Sequence, residues 1–179
     1  MAARLRRGFT LIELMVAMTI LILLLVLAVP GYVLWMSDSE IRNATESVAS
    51  GLRYAQATAI SSNRNAQFVL NPTGWNVTMV DAPLVSIQTA AFNEGAKNVT
   101  VVGKDTTLAA GTTVAFNALG QTTTDPTNLA LVDLSMPAVA KTTPLRVLVG
   151  NGRTGVKICD PYWNSIGKSD DPKACPRYP

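Results

Sequence analysis

The stretch RLRRGFTLIELMVAMTILILLLVLAVPGYVLWM, residues 4–36, decides how the rest of the chain is read. Three arginines precede a glycine, a long apolar run follows, and one acid, Glu13, stands near its start. Between Glu13 and Asp38 the chain carries no formal charge, a length sufficient for a helix to cross a bilayer. A secretory signal peptide accounts for the basic start but not for the length, and no A-x-A-like cleavage site follows. A signal anchor accounts for the length, with Arg4, Arg6 and Arg7 keeping the N-terminus cytoplasmic. It leaves Glu13 unexplained. An acid within a span costs about 2.5–3.5 kcal/mol at mid-helix and usually marks a pairing. An acid at the end of a span simply sits among headgroups. On these residues alone both readings of Glu13 stand.

The 179-residue chain has a formal charge of +3 and a pI near 9.0. Arg4, Arg6 and Arg7 account for all of that excess, so a generally basic character belongs to residues 1–8. The remainder is uneven. Residues 65–140 hold two lysines against five acids, whereas residues 141–179 hold seven basic residues against three acids.

Beyond the span, Ile41, Ala44, Val48, Leu52, Ala55 and Ala59 recur at steps of three and four, with Glu40, Arg42, Glu46 and Arg53 off that stripe. Asp38 or Ser39 could cap a fresh helix, but the continuity of the stripe favours one helix from about Phe9 to Ser62. Pro30-Gly31 interrupts it, and proline removes a backbone hydrogen bond. From Asn65 the texture changes to short β-prone runs. AQFVL ends at the turn Asn71-Pro72-Thr73-Gly74 and WNVTMV follows; LVSIQ, NVTVV, TTVAFN, LALVDLSM and LRVLVG are further strand candidates. LGQTTTDPTN and PAVAKTTP read as exposed loops, and GNGRTG as a turn, because no helix pattern follows it to make a phosphate cradle. The expected fold is α+β: a long N-terminal helix on an antiparallel, sandwich-like domain, one domain on a stalk.

Histidine is absent, which excludes a histidine-based triad, and no nucleotide-binding fingerprint occurs. The chain reads as a non-enzyme without cofactor or metal. Its two cysteines, Cys159 and Cys175, enclose the 15-residue loop DPYWNSIGKSDDPKA. With Arg4, Arg6 and Arg7 cytoplasmic and a single span, the loop lies across the membrane from them, where disulfides persist. A bridge there is worth about 3 kcal/mol by loop closure. Two free thiols are the alternative; a zinc site has no further ligands to draw on.

RRGFTLIELMVAM resembles the prepilin signature of type IV pilins and type II secretion pseudopilins. The resemblance implies cleavage by a prepilin peptidase between Gly8 and Phe9, and N-methylation of Phe9. It also implies assembly through Glu13, which would neutralise the new amine of a neighbouring subunit, and local melting at Pro30; a passive kink is the other reading of that proline. LRYAQATAISSNRNAQFVL looks like the helix end and first strand of the GspH/FimT family, with Gln56 standing where an arginine is usual. GRTGVKICDP and DPKACP resemble the terminal segment of FimT- and FimU-like minor pilins. The parts implied are a leader 1–8, a transmembrane and assembly half 9–36, an amphipathic half 37–64 and a β-rich domain 65–179. The partners implied are other pilins or pseudopilins, the peptidase and the inner membrane, with a periplasmic domain that later enters a fibre. Two machines fit: a type IV pilus, favoured by the basic cysteine-bounded segment, and a type II secretion system. FimT-like proteins can bind DNA through a glycine-arginine-x-basic motif; Gly152, Arg153 and Thr154 match it, but Gly155 occupies the basic position. Arg153, Lys157, Lys168, Lys173 and Arg177 are the candidate phosphate contacts, beside Tyr162 or Trp163 as stacking surfaces. A solvated basic tail is the alternative.

Overall fold

The computed structural model describes residues 9–80, 85–92, 95–123, 127–150, 155–165, 167 and 170–176. The first element, α1, runs Leu11–Ser62 without a break, with Pro30 inside it. No fresh helix starts near Asp38. The Asp38 carboxylate instead accepts the Thr143 backbone N–H at 2.9 Å. The helix stops because Asn63 adopts a left-handed φ of 52°. Asn63 N–H then donates to the Ile60 carbonyl and Arg64 N–H to that of Ala59, a Schellman-type ending.

The chain divides into two compact units, Met1–Met36 and Ser37–Pro179. In the first, the described residues are all helix apart from Phe9 and Thr10, and every large apolar side chain from Leu11 to Met36 lies open except Leu34, which is half-buried. In the second, the same helix buries Ser37, Ile41, Ala44, Thr45, Val48, Ala49, Gly51, Leu52, Ala55 and Ala59. All six positions of the sequence stripe are among them.

Among the described residues eight strands follow: β1 Ala66–Asn71, β2 Gly74–Met79, β3 Ser86–Ala91, β4 Thr100–Lys104, β5 Thr113–Phe116, β6 Leu131–Ser135, β7 Leu145–Val149 and β8 Val156–Cys159, with a one-turn helix α2 at Tyr162–Ser165. They form two four-stranded antiparallel sheets, ordered β3-β2-β1-β5 and β4-β6-β7-β8. Strand β3 starts two residues later than LVSIQ suggests, and β4 two later than NVTVV suggests. Both are edge strands, where one partner rather than two fixes the register. Strand β8 was not among the expected strands.

Phe68, Val77, Val114 and Phe116 from the first sheet meet Val132, Leu134, Val147 and Val149 from the second in one core with Ile41, Val48 and Leu52 of α1. Phe68 and Trp75 stack at 5.7 Å, and Trp75 Nε1–H donates to Ser47 Oγ at 3.0 Å. Gly51 makes this packing fit. A Cβ at Gly51 would lie 2.8 Å from the Trp75 ring and 2.9 Å from Phe68. The two sheets differ chemically. The strands of the first contain no charged residue, whereas those of the second carry Lys104, Asp133, Arg146 and Lys157.

Candidate functional site

The N-terminal end of α1 is organised by Thr10. Its Oγ1 accepts the Glu13 backbone N–H at 3.3 Å, and its carbonyl accepts the Leu14 N–H at 3.2 Å. Thr10 is therefore the N-cap and Glu13 the third residue of the helix, the T-x-x-E spacing of a capping box. The sequence reading passed over Thr10, although that spacing was its signal. The Glu13 carboxylate is exposed in the first turn, where the aligned peptide dipoles favour negative charge. It makes no ion pair with another described residue. Phe9 is 85% exposed. Gly8, the expected cleavage determinant, lies outside the described residues. Pro30 leaves α1 continuous, and nothing within 4 Å would meet a Cβ on the neighbouring Gly31. By length and composition, α1 can cross a membrane.

At the other end of the chain Cys159 and Cys175 are bonded, with their Cα atoms 4.9 Å apart. Both are buried, in a second small cluster with Leu131 and Leu148. The register places Leu131 beside Leu148, and Arg146 beside both Asp133 and Cys159, so the bridge sits on the sheet face opposite the main core. Backbone bonds hold the closed loop down: Asp160 N–H donates to the Lys173 carbonyl at 2.8 Å, and Asn164 Nδ2 to that of Cys175 at 2.7 Å. Lys157 on β8 and Lys173 in the loop are exposed. Arg153, Lys168 and Arg177 lie outside the described residues. Tyr162 is exposed and Trp163 half-buried.

On the same face Asp133 is held between two cations, Lys104 Nζ at 3.1 Å and Arg146 Nε at 2.5 Å. Partial burial pushes the Asp133 carboxyl up, but the hydrogen bonds and charges of Arg146 and Lys104 outweigh it and hold it below its ordinary value. Gln56, at the position where the family resemblance leads one to expect arginine, donates to the Gly120 carbonyl at 2.8 Å and so fastens the Asn117–Gly120 turn to α1. Among the described residues no group of three or more histidine, cysteine or acidic side chains is placed to hold a metal ion.

An apolar helix with an N-terminal cap thus precedes a helix-packed pair of antiparallel sheets. Residues 3–29 match the prokaryotic N-terminal methylation motif, and residues 44–167 match the family described as type II transport protein GspH. The chain belongs to the GspH family, and is a subunit of the minor pilin and pseudopilin class. Among solved structures it is similar to the type IV minor pilin FimU of Pseudomonas aeruginosa, at 17% identity and a TM-score of 0.47, over 66% of this chain and 87% of that one. It is also similar to the minor pseudopilin EpsH from the type 2 secretion system of Vibrio cholerae, at 12% identity and a TM-score of 0.48, over 68% of this chain and 98% of that one. No curated protein matches the chain significantly.

Proposed function

We propose that this chain is a structural minor subunit of a type IV pilus. It enters the inner membrane as a single-pass protein, with residues 1–8 cytoplasmic and residues 37–179 periplasmic. A prepilin peptidase cuts between Gly8 and Phe9, Phe9 is N-methylated, and residues 9–36 then join the helices of neighbouring subunits. The observation that carries this reading is the solvent-open apolar surface of α1 before Ser37, followed by burial in the same helix after it. A soluble protein does not leave so large an apolar surface uncovered, whereas lipid first and other pilin helices afterwards would cover it. The exposed Glu13, in no ion pair with another described residue, fits a carboxylate kept for a neighbour's amine.

The disulfide-closed segment Cys159–Cys175 supports the pilus over the secretion machine. The family description favours the second reading, a minor pseudopilin of type II secretion. Deleting the gene and scoring both outputs separates them: loss of surface pili with normal export supports the first, and loss of exoprotein export with normal pili supports the second. For DNA contact, Lys157 and Lys173 are the described candidates. Lys104 and Arg146 are already committed to Asp133. Phosphate contact requires that Lys157→Gln flatten the salt dependence of duplex binding by about one unit. An unchanged slope, or no binding at low salt, removes DNA from the function.

A further inference from the structure

The aromatic residues of the first unit are not spread along it. Phe9 stands at one end and Tyr32 and Trp35 at the other, and residues 10–31 contain none. Tyr32 and Trp35 lie one turn apart with ring centroids 6.1 Å from each other. Both are open, at 59% and 68% exposure, so neither ring is there to fill a core in this chain. Tyrosine and tryptophan favour the membrane–water interface, because each has an apolar body and a polar N–H or O–H that seeks water or a headgroup.

The spacing along α1 matches a bilayer at two levels. Glu13 and Tyr32 are 19 positions apart, about 28 Å at the helical rise, against about 30 Å for a hydrocarbon core. Phe9 and Trp35 are 26 positions apart, about 39 Å, against about 40–45 Å for a bilayer with its headgroup regions. The first charge after the span, Asp38, comes three residues beyond Trp35.

We propose that Tyr32 and Trp35 are a headgroup-level anchor in the leaflet nearer residue 37, and that this anchor fixes the depth of the helix so that Glu13 rests at the opposite edge of the hydrocarbon. The partner is the glycerol and headgroup layer of the lipid. This rests on the single-pass reading above and assigns a positioning role to two residues outside the N-terminal signature. The carboxylate of an unassembled subunit then sits among water and headgroups, and it leaves them only when it meets a neighbour. The two readings of Glu13 that the sequence left open become successive states of one residue.

The test uses the chain from Phe9 in vesicles of phosphatidylethanolamine and phosphatidylglycerol, with bromine placed on the acyl chains near the glycerol or near the bilayer centre. Tryptophan emission is compared with that of Trp35→Phe, which retains the background of Trp75, buried in the second unit, and of half-buried Trp163. Headgroup-level placement requires Trp35 quenching about twofold stronger from the shallow bromines than from the deep ones. Equal or stronger quenching by the deep bromines overturns the proposal, as does an absence of lipid quenching in a chain that floats with the vesicles. A chain that fails to float at all refutes the single-pass reading itself and carries this proposal with it. A second measurement addresses depth directly, with a nitroxide on a cysteine replacing Leu11 and the native disulfide closed. Collisions with a water-soluble nickel complex should rise about twofold when Tyr32 and Trp35 are both changed to leucine, because the leucines sink into the hydrocarbon and the helix carries position 11 outward toward water. Unchanged collision rates would show that the aromatic pair sets no depth.

Discussion

One helix carries two chemistries. Before Ser37, α1 displays leucine, isoleucine and valine on all sides and touches no other element of its own unit. After Ser37 it buries one stripe against two sheets and turns Arg42, Glu46 and Arg53 outward. The backbone is the same; what differs is where the covering surface comes from. An all-round apolar helix is satisfied by lipid or by other helices, whereas a striped one is satisfied by its own domain. On the proposed function the first half exchanges its partners, whereas the second keeps the cover its own domain supplies. Changes in each half should fail in different assays.

The largest expected effect is at Glu13. Glu13→Val should insert in the membrane and leave the second unit folded, since only a charge near lipid is lost, yet its amount in sheared fibres should drop at least about tenfold. Wild-type amounts in the fibre, by immunoblot against a membrane control, would show that the carboxylate is not used in assembly.

Next comes the bridge. Replacing Cys159 and Cys175 together by serine should lower the stability of the second unit by about 3 kcal/mol, the entropy of a 15-residue loop. Denaturant titration of the detergent-solubilised chain, with Trp35→Phe and Trp163→Phe in both variants so that Trp75 alone emits, would measure it. A loss well below 1 kcal/mol would mean that the backbone bonds from Asp160 and Asn164 suffice to hold the loop.

The two glycines of α1 give the sharpest contrast. Gly51→Ala should destabilise by about 1–3 kcal/mol through overpacking against Trp75 and Phe68, even though alanine is the better helix former. Gly31→Ala meets nothing within 4 Å and should be neutral or slightly stabilising to the helix. Equal effects in thermal melts at both positions would erase the distinction between the halves.

Smallest is a pH effect at Asp133. Its carboxyl is held below the ordinary value in the folded chain, so its contribution to stability is complete above about pH 4, the unfolded value. The contribution fades as pH falls through the lower folded value. Asp133→Asn should flatten the melting temperature over that acidic window, and an unchanged acid limb would deny the Lys104 and Arg146 pairing an energetic role.

Much of this was legible because it obeys a period. The charge-free run and the stripe from Ile41 to Ala59 follow from helical geometry, and each stripe position is buried. The hairpin at Asn71–Gly74 was marked by its turn residues, and β1 pairs with β2 across it. Other features were not local. Gly51 looks like a weak point in a helix until Trp75, distant in sequence, is seen against it. Strand β8 is four residues long and has a lysine in its middle, too short for alternation to register. Gln56 looked like a departure from a family pattern, and only the fold reveals Gly120 as its partner. Of the candidate site, the cysteines and Glu13 were readable, while Thr10 was hidden inside a motif recognised as a whole.

The order of the strands has a consequence for how the second unit comes apart. The first sheet takes β1, β2, β3 and β5, and the second takes β4, β6, β7 and β8, so the chain moves to the second sheet, returns, and leaves again. Neither sheet corresponds to an uninterrupted length of chain. Removing β4 and β5 would strip an edge from each, and no cut leaves one sheet complete and the other merely absent. The two layers are thus not modules. Local opening confined to one of them must drag on a strand of the other, and this favours a single cooperative transition over stepwise loss. On the proposed function, in which the helix draws the subunit from the bilayer into a fibre, that interlacing would keep the load from peeling away one layer at a time.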